Sequence, residues 1–292
     1  MSIQRKFTLA DLRAARLTGR KTAMLTCYDY TTARLMQEAG IKMLLVGDSA
    51  ANVILGHETT LPVTLDFMIT LTAAVRRGAP KALLIGDMPF GSYHESTRQG
   101  VKNVVKMVQL SGCDGVKLEA SLSHARLVGM LADAGVAVMA HLGLRPQSVN
   151  LLGGYRWQGR TAREAEELVR TALVFQRAGA AAILLEAVPP QVSQAIVDST
   201  DVPIIGCGAG PACHGHVVVT HDALGLTGVA PRFVPVLADL ASPMKAAFAD
   251  YVRQIEAGIY PASQHLYEMA DEEAAKFSRG RAGATNSAAA TE

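Results

Sequence analysis

Apolar residues fall in short runs along the chain, at positions 23–26, 43–46, 82–85, 115–118, 136–140, 181–185, 203–205 and 217–219. Each run has the length of a β-strand and is bounded by turn-forming residues. Between the runs the spacing becomes helical, most clearly at Val101, Val104, Val105 and Val108, which share one helix face with polar residues opposite. Gly40, Gly78, Gly112, Gly135 and Gly179 each stand shortly before a run, where a left-handed helix C-cap without a Cβ is favoured. Thr8 with Asp11 predicts a capping box for an N-terminal helix, and Thr161 with Glu164 predicts another for a helix that runs to Ala178.

About eight strand-and-helix units result, which predicts an α/β protein with a (β/α)₈ TIM barrel. An open doubly wound sheet is the structural rival, and strand count does not separate the two. We place the barrel, with its N-terminal helix, in a single domain at 1–277. From Ser278 the residues are mainly Gly, Ala, Ser, Thr and Asn without apolar periodicity, which predicts a disordered C-terminal tail at 278–292.

Composition supports that architecture. A chain of 292 residues, 49% hydrophobic and 18% charged, fits a parallel sheet buried by helices better than a half-solvated antiparallel one. The net charge of +2 is spread without a long Lys/Arg block, so no nucleic-acid partner is expected. Cys27, Cys113, Cys207 and Cys213 lie far apart or inside apolar runs, as in a reducing compartment. The polar N-terminus lacks the apolar core of a signal peptide and no stretch is suited to crossing a bilayer, so no membrane partner and a cytoplasmic location are expected.

The candidate chemistry follows the runs. Asp29, Asp48, Asp87, Glu119, His141 and Glu186 come after the first six in turn. In a parallel barrel such positions converge on the face where barrel enzymes work. A single strand-ending Asp commonly caps a helix, but Asp48, Asp87 and Glu119 on successive strands form a hard oxygen site suited to Mg²⁺. Lys117 lies two residues before Glu119 and shares its side of the strand, which implies an anionic substrate; a purely structural partnership with a carboxylate is compatible with the same placement. Glu186 is the candidate acid/base, and a structural acid bonded to loop amides is the other reading. His141 is read as a hydrogen-bonded histidine behind the site. Gly206-Cys207-Gly208-Ala209-Gly210 lacks a dinucleotide-loop spacing, and Cys207, Cys213, His214 and His216 match no zinc-ligand spacing.

The segments Val46-Gly47-Asp48-Ser49, Gly56-His57, Thr60-Leu61-Pro62-Val63-Thr64, Asp87-Met88-Pro89-Phe90, Val116-Lys117-Leu118-Glu119, His141-Leu142-Gly143-Leu144, Pro146-Gln147-Ser148-Val149-Asn150 and Gly153-Gly154-Tyr155 keep their order between about Leu17 and Pro261. In this the chain resembles the ketopantoate (3-methyl-2-oxobutanoate) hydroxymethyltransferase family. The resemblance implies a homodecamer that transfers a one-carbon unit from 5,10-methylenetetrahydrofolate to 3-methyl-2-oxobutanoate. The product is 2-dehydropantoate, for pantothenate biosynthesis, reached through a Mg-stabilised enolate. It also implies that Asp48, Asp87 and Glu119 bind Mg²⁺, that Asp48, Ser49, Asp87 and Lys117 contact the oxo acid, and that Glu186 is the proton acceptor.

The chain departs from the family pattern at Ala120-Ser121, where Gly-Gly is usual, at Arg145, where Thr is usual, and at His214-Gly215-His216, where Asp-Gly-Gln is usual. These changes bear on the oxo acid and the one-carbon donor more than on the reaction class. A paralogue acting on another 2-oxo acid, a related C–C lyase and a non-catalytic metabolite-binding barrel are the alternatives.

Overall fold

A computed structural model describes residues 5–288. Among the described residues, eight parallel strands close into a barrel in chain order: β1 (Thr22–Thr26), β2 (Met43–Val46), β3 (Leu83–Asp87), β4 (Gly115–Glu119), β5 (Ala137–Gly143), β6 (Ala182–Glu186), β7 (Ile204–Cys207) and β8 (Gly215–Val218). β8 pairs in parallel with β1, so the sheet has no edge and the open-sheet alternative is excluded. Every apolar run in the sequence overlaps one of these strands.

Strand alternation sorts the core into two layers. Met24, Met43, Leu45, Leu83, Ile85, Met139, Ala182, Leu184, Ile205 and Val217 form a cluster inside the barrel. Leu44, Val46, Leu84, Val116, Leu118, Val138, Ala140, Ile183, Leu185 and Ile204 face the surrounding helices. A fully buried side chain of this size contributes about 1.5–3 kcal/mol. Because both faces are covered, the strands read as apolar runs rather than alternating ones.

The N-terminal helix, Leu9–Leu17, has the predicted Thr8–Asp11 capping box and sends fully buried Leu12 into the inner cluster. Helix Thr97–Ser111 buries Val104 and Met107 and packs Val101 and Val108 at their margin, which is the predicted face. Thr161 caps helix Ala162–Arg177 by accepting from the Glu164 amide at 3.2 Å.

Gly40, Gly112, Gly135 and Gly179 take positive φ, whereas Gly78 does not. Gly78 is the last residue of helix Leu65–Gly78, and a Cβ there would stand 2.3 Å from the Tyr30 carbonyl oxygen. Close packing between helices, and not a left-handed cap, requires that glycine. The connection from β7 to β8, at 208–214, is a tight loop without a helix. Gly208 lies under the Phe233 ring and Gly210 against Pro190, so the glycine-rich segment serves chain packing.

The chain divides into two compact units, Met1–Asp239 and Leu240–Glu292. The second contains helices Ala241–Glu256 and Asp271–Ala288, with Tyr260 stacked near Tyr251 and His265 between them. Backbone helix therefore extends over 278–288, where the sequence predicts no element. An acidic first turn at Asp271, Glu272 and Glu273, followed by alanines, favours it. Positions 289–292 of the predicted tail lie outside the described residues.

Candidate active site

The inward-facing positions of the strands change character toward the C-terminal ends. Along β3 the series is Leu83, Ile85, Asp87; along β4, Gly115, Lys117, Glu119; along β6, Ala182, Leu184, Glu186. The period of two thus carries each polar side chain onto the barrel axis above an apolar floor. Register completes the ring: Asp87 pairs with Lys117, Glu119 with His141 and Glu186 with Cys207. Asp48 and Ser49 occupy the turn after β2, just before the short helix Ala50–Val53.

Asp48, Ser49, Asp87, Lys117, His141 and Glu186 all line one cavity of about 580 Å³ at this end of the barrel. Glu119 adjoins it and is buried. Leu184, Val217, Val218, Trp157 and Phe233 supply apolar wall. Asp29, by contrast, is exposed and caps helix Tyr30–Glu38 through the Thr32 amide. For that residue the simple capping role holds.

Charge in the cavity is unbalanced. Lys117 Nζ lies 2.9 Å from Asp87 Oδ2, which also accepts the Asp48 amide at 3.0 Å. Asp87 Oδ1 is buried without a partner. Burial, opposed by Lys117 and reinforced by Asp48, pushes the Asp87 carboxyl up to about 8. Burial likewise pushes Glu119 up to about 9. Desolvation works against the Lys117 ammonium, but Asp87, Asp48 and Glu119 outweigh it and hold its pKa above the ordinary value. Three carboxyl groups thus face one ammonium in a space shielded from water.

Gln147, named in the sequence only within a longer matching segment, organises two of those carboxylates. Its amide N–H donates to Glu119 Oε2 at 3.0 Å, and its Nε2 donates to Asp48 Oδ2 at 2.8 Å and to the Met88 carbonyl at 3.0 Å. Its Oε1 accepts from the Tyr93 hydroxyl at 2.9 Å, and that hydroxyl also receives the Glu119 amide. Neither Gln147 nor Tyr93 has a charge or a strand-end position to reveal it. Among the described residues, no three His, Cys, Asp or Glu side chains are gathered into a ready metal shell. Each carboxylate is drawn instead to its nearest donor, for Asp48 and Glu119 an amide of Gln147.

Glu186 closes the other side of the cavity with its side chain 18% exposed, in partial contact with solvent. Its Oε2 lies 3.3 Å from His141 Nε2, and His141 Nδ1 lies 3.2 Å from Lys117 Nζ. Just beyond, Ala187 adopts φ +47°, an uncommon conformation for a residue with a Cβ. Its amide donates to the Cys207 carbonyl and its carbonyl accepts from the Gln158 amide, which hold the turn in place. Ser49 Oγ is held by the Tyr28 hydroxyl at 2.8 Å.

The departures from the family pattern fall away from the cavity wall. Arg145 lies along the Ala120 carbonyl, and Ser121 Oγ bonds to His124. His214 sits at the opposite end of the barrel, where its Nδ1 accepts the Ile204 amide at the start of β7. Ala120, Ser121, Arg145, His214 and His216 are not among the described residues that line the cavity.

Fold and cavity together define the class: a (β/α)₈-barrel enzyme with a buried, acid-rich site at the C-terminal ends of its strands. The family model for ketopantoate hydroxymethyltransferase matches residues 6–263. The 3-methyl-2-oxobutanoate hydroxymethyltransferase of Thermobifida fusca is 44% identical over 266 residues, covering 91% of this chain and 95% of its own. That of Heliobacterium modesticaldum is 42% identical over 269 residues, covering 92% and 98%. Among solved structures, phosphonopyruvate hydrolase in complex with oxalate and Mg⁺⁺ superposes with a TM-score of 0.58 over 94% of this chain and 98% of its own, at 16% identity, a likeness of fold. The chain belongs to the ketopantoate hydroxymethyltransferase family, and it is a transferase.

Proposed function

We propose that this enzyme moves a one-carbon unit from 5,10-methylenetetrahydrofolate, with water, to 3-methyl-2-oxobutanoate, giving 2-dehydropantoate and tetrahydrofolate in cytoplasmic pantothenate biosynthesis. The observation that carries the reading is the ring of Asp48, Asp87 and Lys117 facing Glu186 across one cavity. The relatives named for this reaction support the choice of oxo acid. The position of the family departures away from the cavity wall supports it further.

Asp48, Asp87 and Glu119 would hold Mg²⁺. The donors fit: all are hard oxygens, and Asp87 Oδ1 is free. Bound there, Mg²⁺ would supply Lewis-acid polarisation that makes a proton next to a keto group easier to remove. Lys117 and the Ser49 hydroxyl orient the anionic end of the oxo acid. The apolar wall at Leu184, Val217 and Val218 accepts its branched end and keeps water from it. Glu186 takes the proton from C3; the resulting enolate carbon bonds to the one-carbon unit as both methylene–nitrogen bonds break, water supplies the hydroxyl oxygen, and the folate nitrogens leave protonated as tetrahydrofolate. Gln147 holds Asp48 and Glu119 at their places on the rim.

The test is exchange of the C3 proton of 3-methyl-2-oxobutanoate in D₂O with Mg²⁺ and no folate, followed by the complete assay. Wild-type protein is expected to exchange, and Glu186→Gln to lose about 10²–10⁴-fold in rate. Exchange without transfer would retain proton abstraction and discard the folate donor. A folded protein that exchanges neither this nor any other 2-oxo acid would overturn the assignment.

A further inference from the structure

Between the lysine and the glutamate of this cavity lies a buried imidazole that the reaction above does not use. His141 is 1% exposed and spans the two: Nδ1 is 3.2 Å from Lys117 Nζ, and Nε2 is 3.3 Å from Glu186 Oε2. We propose that Lys117 locks His141 in the tautomer protonated on Nε2, and that His141 thereby positions the Glu186 side chain.

The argument rests first on donor inventory. A lysine ammonium carries three N–H donors and no acceptor, so the nitrogen that faces it must present a lone pair. That leaves the ring proton of a neutral imidazole on Nε2. Nε2 is buried and makes no hydrogen bond in this structure; Glu186 Oε2, at 3.3 Å, stands off the line of its N–H. A buried N–H with one carboxyl group in reach draws an oxygen of that group toward it.

The ring stays neutral for a physical reason. Burial first, and the Lys117 charge second, disfavour imidazolium, with Glu186 acting in the opposite sense. A neutral imidazole presents a single N–H on the Glu186 side and so orients that side chain in one way. Histidine at this place therefore does what neither a second lysine nor an apolar residue does. It passes the fixed orientation of the lysine to the base.

The inference rests on Glu186 as the base, and the experiment separates the two ideas. His141→Gln places an amide donor near the position of Nε2, whereas His141→Asn keeps only a group near Nδ1. We expect the Asn variant to lose about 10–100-fold in kcat and in C3 proton exchange with KM for the oxo acid little changed, as is typical when an outer partner is removed. The Gln variant is expected to stay within about threefold of wild type, since it keeps the donor. Asn and Gln variants that both retain the wild-type exchange rate, while Glu186→Gln loses it, would overturn the positioning role and leave the base assignment standing. Full exchange by Glu186→Gln would overturn the base assignment and this inference with it. Independently of activity, ¹⁵N spectra of histidine-labelled wild-type protein are expected to show the His141 proton on Nε2, with that preference lost in Lys117→Met. A proton on Nδ1 in the wild type would overturn the proposal.

Discussion

Lys117 carries its charge into a space where Asp87 and Glu119 are pushed toward about 8 and about 9. Its contact with Asp87 answers both readings of its sequence position: it has a structural partner, and it stands on the wall of the cavity. Residues of one type and similar sequence setting have different fates here. Asp29 and Asp87 both end apolar runs, yet Asp29 caps a helix in solvent and Asp87 is wholly buried. The difference is register: Asp87 is the last residue of β3, whereas Asp29 lies three residues beyond the end of β1, which no composition records.

His214, at the far end of the barrel, gives a residue-scale prediction about pH. Burial, then Arg16 and Lys21, hold its pKa down at about 4 against an ordinary 6.5. The unfolded chain therefore takes up this proton near 6.5, while the folded chain refuses it until about 4. Stability from this group is complete above the higher value and falls as pH drops between the two. His214→Asn keeps an acceptor for the Ile204 amide and does not titrate. Thermal midpoints measured at pH 7 and pH 5 should differ less in that variant than in the wild type; equal differences would refute the linkage.

At the scale of elements, β5 and β6 set the place of Glu186. Gly143 ends β5 at φ +93°, and a Cβ there would meet the Glu186 carbonyl oxygen at 2.2 Å. Gly143→Ala incurs about 1–2 kcal/mol for the left-handed backbone alone, before the collision is relieved. We expect the thermal midpoint to fall by about 5 °C or more and kcat to fall further than stability alone explains, because relief moves the acid. A variant with wild-type midpoint and kcat would refute the close-approach argument. The strands themselves were legible as apolar runs, since burial on both faces leaves polar residues nowhere but at the ends. Gln147 was not legible as an organiser of the site. It acts from a loop turn after β5, and only the folded path brings its amides to both Asp48 and Glu119.

At the scale of the whole molecule, the helix Ala241–Glu256 leaves Met244, Phe248, Tyr251, Val252 and Ile255 exposed at helical spacing on one face. The resemblance implies a homodecamer, and a face of this kind suits burial between copies of the chain. Sedimentation analysis is expected to give a homodecamer, and Phe248→Asp to shift it to smaller species; a monomer at all concentrations would reject the assembly. By itself the sequence determined the alternation of strand and helix, the family and the identity of the chemical groups, because hydrophobic period and residue type are local properties. Tertiary structure decided closure of the barrel, which acids share the cavity, the bridge from Lys117 through His141 to Glu186, and the withdrawal of Asp29 to a cap. Those depend on strand register and on contacts between distant segments. Their energies arise only when water is excluded from groups that the chain itself keeps far apart.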